Sequence, residues 1–145
     1  MRPEADEALK SIVVPDLKAR GFKGGYPNFF RDRDGHIDLL TFQFNKNGGS
    51  FVCEISFADR ERSNVYIYKD TEPKKLRSNQ TTVRFRLGAN PDQGINDNWF
   101  DFEKSGLLSR NSPTKAAQDV LSLIESQGEP WWHAHEKATA NKMPR

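Results

Sequence analysis

The residues that could do chemistry in this chain are few. His133, His135 and Glu136 form the string H-x-H-E, made of zinc-ligating residue types. Zinc needs at least three ligands that converge. On a helix His133 and Glu136 share a face while His135 points elsewhere. Pro130 and the surrounding Ala, Glu and Lys favour a helix, so the string reads as a solvated helix end. Asp32, Asp34 and Asp38 surround Gly35 and begin like a calcium loop. The later oxygen ligands and the closing Glu of such a loop are missing, and Arg31 and Arg33 interleave with the carboxylates. No metal and no cofactor is expected. The single cysteine, Cys53, sits among Phe51, Val52, Ile55 and Phe57, the setting of a buried, inert thiol. Ser50, Ser56 and Ser63 lack a nucleophile-elbow context. Gly24-Gly25 and Gly48-Gly49 have no phosphate-cradling continuation.

Two groups of residues suit binding better than catalysis. Arg77, Arg84 and Arg86, with Lys74 and Lys75 upstream and Tyr66 and Tyr68 nearby, could line one sheet face. Cations interleaved with aromatics hold single-stranded nucleic acid on such a surface. Against this, alternate arginines also arise simply because one strand face is wet, and Glu54 could pair with them across strands. Trp131 and Trp132 are adjacent, so on a helix they cannot face the same way. One is expected to cap the core, and an exposed partner would mark a contact surface.

These residues need elements to position them. Apolar Ala5, Ala8, Leu9, Ile12, Val13 and Leu17 recur at helical spacing over residues 3–20. Pro15 must kink that helix or split it near Val14. From Tyr26 onward the period becomes two. Strands are expected at residues 26–33, 36–46 and 50–59, the first pair joined by Asp34-Gly35, a type I′ turn signal. Alternation slips at Leu39-Leu40, which requires either a bulge or burial of both faces. Further strands are expected at residues 65–68, 80–87 and 98–103. Ser112-Pro113 opens a helix with a capping Ser and a first-position Pro, and Gly128 is read as its end. Pro130 starts a short last helix, and residues 138–145 read as a disordered tail after a domain spanning residues 1–137.

The order helix, strands, helix gives an α+β fold: an antiparallel meander of about five or six strands packed on an N-terminal helix and C-terminal helices. One sheet face should meet the helices and the other should be wetter. With 145 residues the chain is long enough for one real core, and 11% aromatic residues, ten of them Phe, should lead it. A net charge of +2 does not make a polyanion binder. The N-terminus has no apolar signal-peptide region, and no run approaches the roughly 20 apolar residues that span a bilayer. The cytoplasm is the expected address, with no membrane partner.

Gly21-Phe22-Lys23, Asn28-Phe29-Phe30-Arg31, Ile37 and residues 41–46 (Thr-Phe-Gln-Phe-Asn-Lys) resemble a bacterial domain-of-unknown-function family, number 4304. Residues 83–88 (Val-Arg-Phe-Arg-Leu-Gly) and Asp97-Asn98-Trp99-Phe100 fit the same plan. The resemblance covers roughly residues 4–127 and implies one α+β domain with no catalytic residue to transfer. The leading functional expectation is a non-catalytic protein-interaction module, as toxin-neutralising immunity proteins are. Its contact surface would be a sheet face or edge with the aromatic C-terminal region, Trp131 and Trp132. The alternatives are a nucleic-acid binder using Arg77, Arg84 and Arg86 with Tyr66 and Tyr68, and a small-molecule enzyme of unknown class.

Overall fold

The computed structural model describes residues 2–65 and 70–142. The first amphipathic pattern forms α1 (Arg2–Ala8) and α2 (Val14–Ala19), joined through a π-helical turn at Leu9–Val13. Pro15 neither breaks the run nor leaves a gap. It occupies the first turn of α2, where its missing N–H is not needed, and the wide turn before it absorbs the mismatch. The sheet follows in chain order: β1 (Lys23–Gly25), β2 (Asn28–Arg33), β3 (His36–Phe44), β4 (Ser50–Ala58), β5 (Arg84–Arg86) and β6 (Phe100–Asp101). Strands β1 to β5 lie side by side in sequence order, and β6 pairs with β4 at its start. All pairings are antiparallel. This is the α+β meander that the residue pattern implied.

Asp34 and Gly35 take φ of 57° and 91°, as the tight turn requires. That turn fixes the register Arg33↔His36 and Arg31↔Asp38. The slip at Leu39-Leu40 is no bulge, because pairing runs unbroken through Leu39↔Ser56 and Leu40↔Ile55. Both faces are buried instead. Leu40, Phe42, Phe51, Cys53 and Ile55 enter the main core beneath the helices. Ile37, Leu39 and Ala58 enter a second, smaller core with Val65 and Leu76. The face expected to be wetter is therefore covered along part of its length by the connection between β4 and β5.

Other expectations shift at their boundaries. Residues 23–25 add an edge strand that the sequence reading missed, and residues 80–87 yield only β5, preceded by a 3-10 turn at Ser78–Gln80. Val65 makes a single bridge to Thr81, and residues 66–69 lie outside the described residues. The C-terminal helix α3 (Pro113–Leu123) is capped by Ser112, whose side chain accepts from Lys115 N at 3.0 Å. It does not end at Gly128. It passes through a π-turn at Ile124–Gly128 into α4 (Glu129–Lys142), which extends through residues read as a disordered tail.

Gly128 is placed by packing, not capping. A Cβ there would lie 3.2 Å from Cζ3 of Trp132. Trp132 is wholly buried, and its indole N–H donates to Ser56 O at 2.9 Å. Its hydrogen bond and full burial hold the ring in place, so making room for a Cβ costs packing. Gly→Ala inside a helix normally gains about 1 kcal/mol, whereas overpacking a filled core costs about 1–3 kcal/mol. Gly128→Ala is therefore expected to lower the denaturant midpoint of the chain despite its better helix propensity. An unchanged or raised midpoint would show that the Trp132 ring can move.

Candidate functional site

Two polar assemblies stand out, and the first is structural. Arg31, on β2, is buried at 6% exposure beneath α4. Its Nε donates to Asp38 Oδ2 at 2.8 Å, and its two Nη atoms fork onto Glu129 at 2.6 and 3.1 Å. Nη1 also reaches Arg20 O at 3.2 Å. The rings of Phe22 and Trp132 lie 4.4 and 5.3 Å from its guanidinium carbon. Arg20 extends the network to Asp16, Glu125 and Glu129, and Arg33 links Asp38 to Glu136. Burial pushes the Asp38 carboxyl up against the pull of Arg31 and Arg33. Burial acts the same way on Glu129, but hydrogen bonds and charge from Arg31 and Arg20 outweigh it and hold that carboxyl below its ordinary range.

His36 lies beside this network, fully buried and stacked on Phe57 at 5.1 Å. Neither ring nitrogen has a hydrogen-bond partner, and Nε2 stands 3.9 Å from Asp38 Oδ1. Cys53 is also fully buried, and burial first, then Glu54, drives its thiol pKa well up. His133 is exposed, and among the described residues no three His, Cys, Asp or Glu side chains gather as metal ligands.

The second assembly lies where β5 and β6 share the outer edge of β4. Gly88 has φ of 93°, and a Cβ there would meet Asn98 Nδ2 at 2.2 Å. That close approach lets Asn98 donate to Leu87 O at 3.0 Å, while Gln127 holds the Gly88 N–H and Ala89 O. The segment so fixed carries Asp97 and Trp99. Asp97 Oδ1 accepts from Arg86 Nη1 and from Asn98 N, both at 2.8 Å, and Oδ2 accepts from Trp99 Nε1 at 3.2 Å. Desolvation is the largest single influence and pushes the Asp97 carboxyl up, but the hydrogen bonds and the Arg86 charge together outweigh it and hold the carboxyl below its usual value. The Arg86 guanidinium lies 5.5 Å from the Trp99 ring centre, and Trp99 remains 39% exposed. Beside it opens a cleft of about 550 Å³, walled by β6 and α3 and lined by Trp99, Asp101, Asn111, Lys115, Asp119 and Ser122.

The residues singled out in the sequence are thus dispersed. Arg84 and Arg86 lie together opposite Glu54, at 3.4 and 3.3 Å from its carboxylate. Arg77 is exposed at the start of the 3-10 turn, with its backbone N–H given to Gln80. Tyr66 and Tyr68 lie outside the described residues. Trp131 is half-buried against Phe57, Phe85 and His135, and Trp132 is internal, so the C-terminal tryptophans do not form one exposed patch. The Arg31–Asp38 pair and the Trp99 platform were missed. The first was within reach, because a two-residue turn at Asp34-Gly35 pairs 31 with 38 by counting. The second depends on a loop contact with no local signal.

The His36 geometry gives a pH dependence. Burial lowers its pKa, with Arg60 acting in the same sense, while Asp38, Glu136 and Asp59 oppose. The unfolded chain binds a proton below its ordinary value of 6.5 while the folded chain does not. Stability is then complete above 6.5 and falls as pH drops from 6.5 toward the folded value. Glu129 acts only in the lower window beneath 4.5. The urea midpoint is expected to fall between about pH 7.5 and pH 5.5, at no more than about 1.4 kcal/mol per pH unit. His36→Phe should flatten that fall by removing the titrating ring. An equal fall in the variant contradicts the assignment.

Among the described residues no helix is long and apolar enough to cross a membrane. No curated protein and no solved structure matches the chain. A family model described as a domain of unknown function, DUF4304, matches residues 13–134, which is most of the chain. On that match, the chain belongs to the DUF4304 family.

Proposed function

We propose that this domain is a non-catalytic protein-interaction module whose contact surface is centred on Trp99. The observation that carries the reading is a large aromatic ring held in one orientation while still open to solvent. Asp97 fixes its N–H and Arg86 lies against the ring. Tryptophan and arginine are the residue types that dominate protein interface energetics, because they bury much area while losing little freedom once fixed. Ile95, 49% exposed, is close to Trp99 in sequence, and Val83, 37% exposed, precedes β5. Strand β5 is the last in the sheet order, so its outer edge offers backbone groups to an incoming segment.

The nucleic-acid reading has weaker support. Affinity for a polyanion comes from cations free to replace its counterions. Arg86 already has Glu54 and Asp97, and Arg84 has Glu54. An enzymatic reading would need an activated group in a cleft. In the cleft beside Trp99, Lys115 and Asp119 pair with each other at 2.8 Å.

The test compares proteins retained from host lysate by the immobilised wild-type chain and by Trp99→Ala. A specific partner should be kept by the first and lost by the second, with affinity falling at least about thirtyfold, as for an interface hot spot. The variant should keep the wild-type unfolding midpoint to within about 1 kcal/mol, because the ring is partly exposed. Partners that bind both chains equally would contradict a Trp99-centred surface.

A further inference from the structure

The loop between β6 and α3 has a composition that the protein-interaction reading does not use. It leaves β6 through Phe102, which is buried and donates its N–H to Gly49 O at 3.0 Å. It rejoins the fold at Asn111, whose Nδ2 donates to Glu103 O at 3.3 Å and closes the base. Ser109 N donates to Gly106 O at 3.1 Å, so the tip is a formed turn. On that tip Leu107 and Leu108 stand 105% and 95% exposed. Adjacent leucines of this exposure bury nothing within the chain. Pinned loops with small, polar bases and a distinctive tip are a common place for function.

Charge narrows the occupant. Between residues 104 and 111 the only charged side chains are Lys104 and Arg110, one on each side of the leucines. Both are exposed, and neither forms an ion pair among the described residues. The preceding carboxylate, Glu103, turns back toward Gly49: its Oε2 lies 3.6 Å from where a Cβ on that glycine would be. Lys46 is in the same β3–β4 turn. An apolar tip flanked by cations is complementary to a surface with anionic groups outside and hydrocarbon beneath. Protein hot spots favour Trp, Tyr and Arg, with Leu under-represented. The neighbouring cleft mixes Asp101, Asn111, Lys115 and Asp119 with Trp99 and Leu123, so a second copy is the competing occupant that the test separates.

We infer that the 103–111 loop docks the domain reversibly on an anionic lipid surface. Leu107 and Leu108 enter the acyl boundary while Lys104 and Arg110 meet the phosphates. Two side chains and two cations make a weak anchor, so the contact exchanges rapidly and is sensitive to salt.

Co-sedimentation of the full chain with vesicles tests this directly. Binding is expected to vesicles of mixed phosphatidylglycerol and phosphatidylcholine at low salt, and to be lost on pure phosphatidylcholine or at high salt. Leu107→Ser/Leu108→Ser should weaken the partition coefficient about a hundredfold or more. Lys104→Ala/Arg110→Ala should weaken it about thirtyfold and reduce its salt dependence. All four positions are exposed, so both variants should unfold as the wild type does. No binding to anionic vesicles at low salt, or equal binding by the leucine variant, overturns the inference. A wild-type dimer in lipid-free solution that the leucine variant converts to monomer also overturns it, by assigning the tip to a second copy.

Discussion

The guanidinium of Arg31 is where separate segments of the chain meet. It joins β2 to its neighbour β3 through Asp38, to the end of α2 through Arg20 O, and to α4 through Glu129. Burying one arginine without partners would cost several kcal/mol, so the site exists only because every direction the planar fork points in meets an acceptor. Aromatic rings from Phe22 and Trp132 close the remaining approach. A lysine could not reproduce the arrangement, since its single ammonium cannot span Asp38 and Glu129 with a fixed plane. Through this one group the chain's two helical ends are tied to the middle of its sheet.

The consequence is a division of the molecule. One end of the sheet, around Arg31, His36 and Trp132, is filled with charge and aromatic rings that are themselves buried. Exposed apolar side chains lie along the β5 and β6 edge and on the loop that follows. Trp99 and the Leu107-Leu108 tip are there, on segments that turn around glycine and asparagine instead of packing into the core. A scaffold locked by Arg31, with binding groups carried on loops pinned at their bases, is the arrangement in which exposed apolar side chains keep a defined position.

Much of this architecture was legible in the residues. The Asp34-Gly35 turn, the alternation in Phe51, Cys53, Ile55 and Phe57, and the Ser112 cap all rest on local physics, and all three appear where that physics places them. The misreadings have a common origin in long-range packing. Gly128 looks like a helix end from its neighbours alone, but it is the space that Trp132 needs. Residues 138–142 have few apolar groups of their own, yet they continue a helix already nucleated at Glu129. The second core exists because the long connection after β4 folds back, bringing Leu76 against Ile37 and Leu39, an event with no periodic signal. The candidate surface was less visible than the fold. Arg84 and Arg86 lie on the strand the alternation implies, and both meet Glu54, but the second partner of Arg86, Asp97, depends on a loop closure around Gly88.

Arg31 and Glu129 act as one coupled unit joining sheet and C-terminal helix. A double-mutant cycle by urea unfolding, with Arg31→Met, Glu129→Gln and both together, measures it most directly. Each single change should cost about 3 kcal/mol by removing charge-assisted hydrogen bonds of the bidentate pair, and the double variant should cost little more than either, a coupling of about 2 kcal/mol or more. Additive losses would mean that the two residues stabilise the fold independently, and the account of how its ends are joined would be wrong.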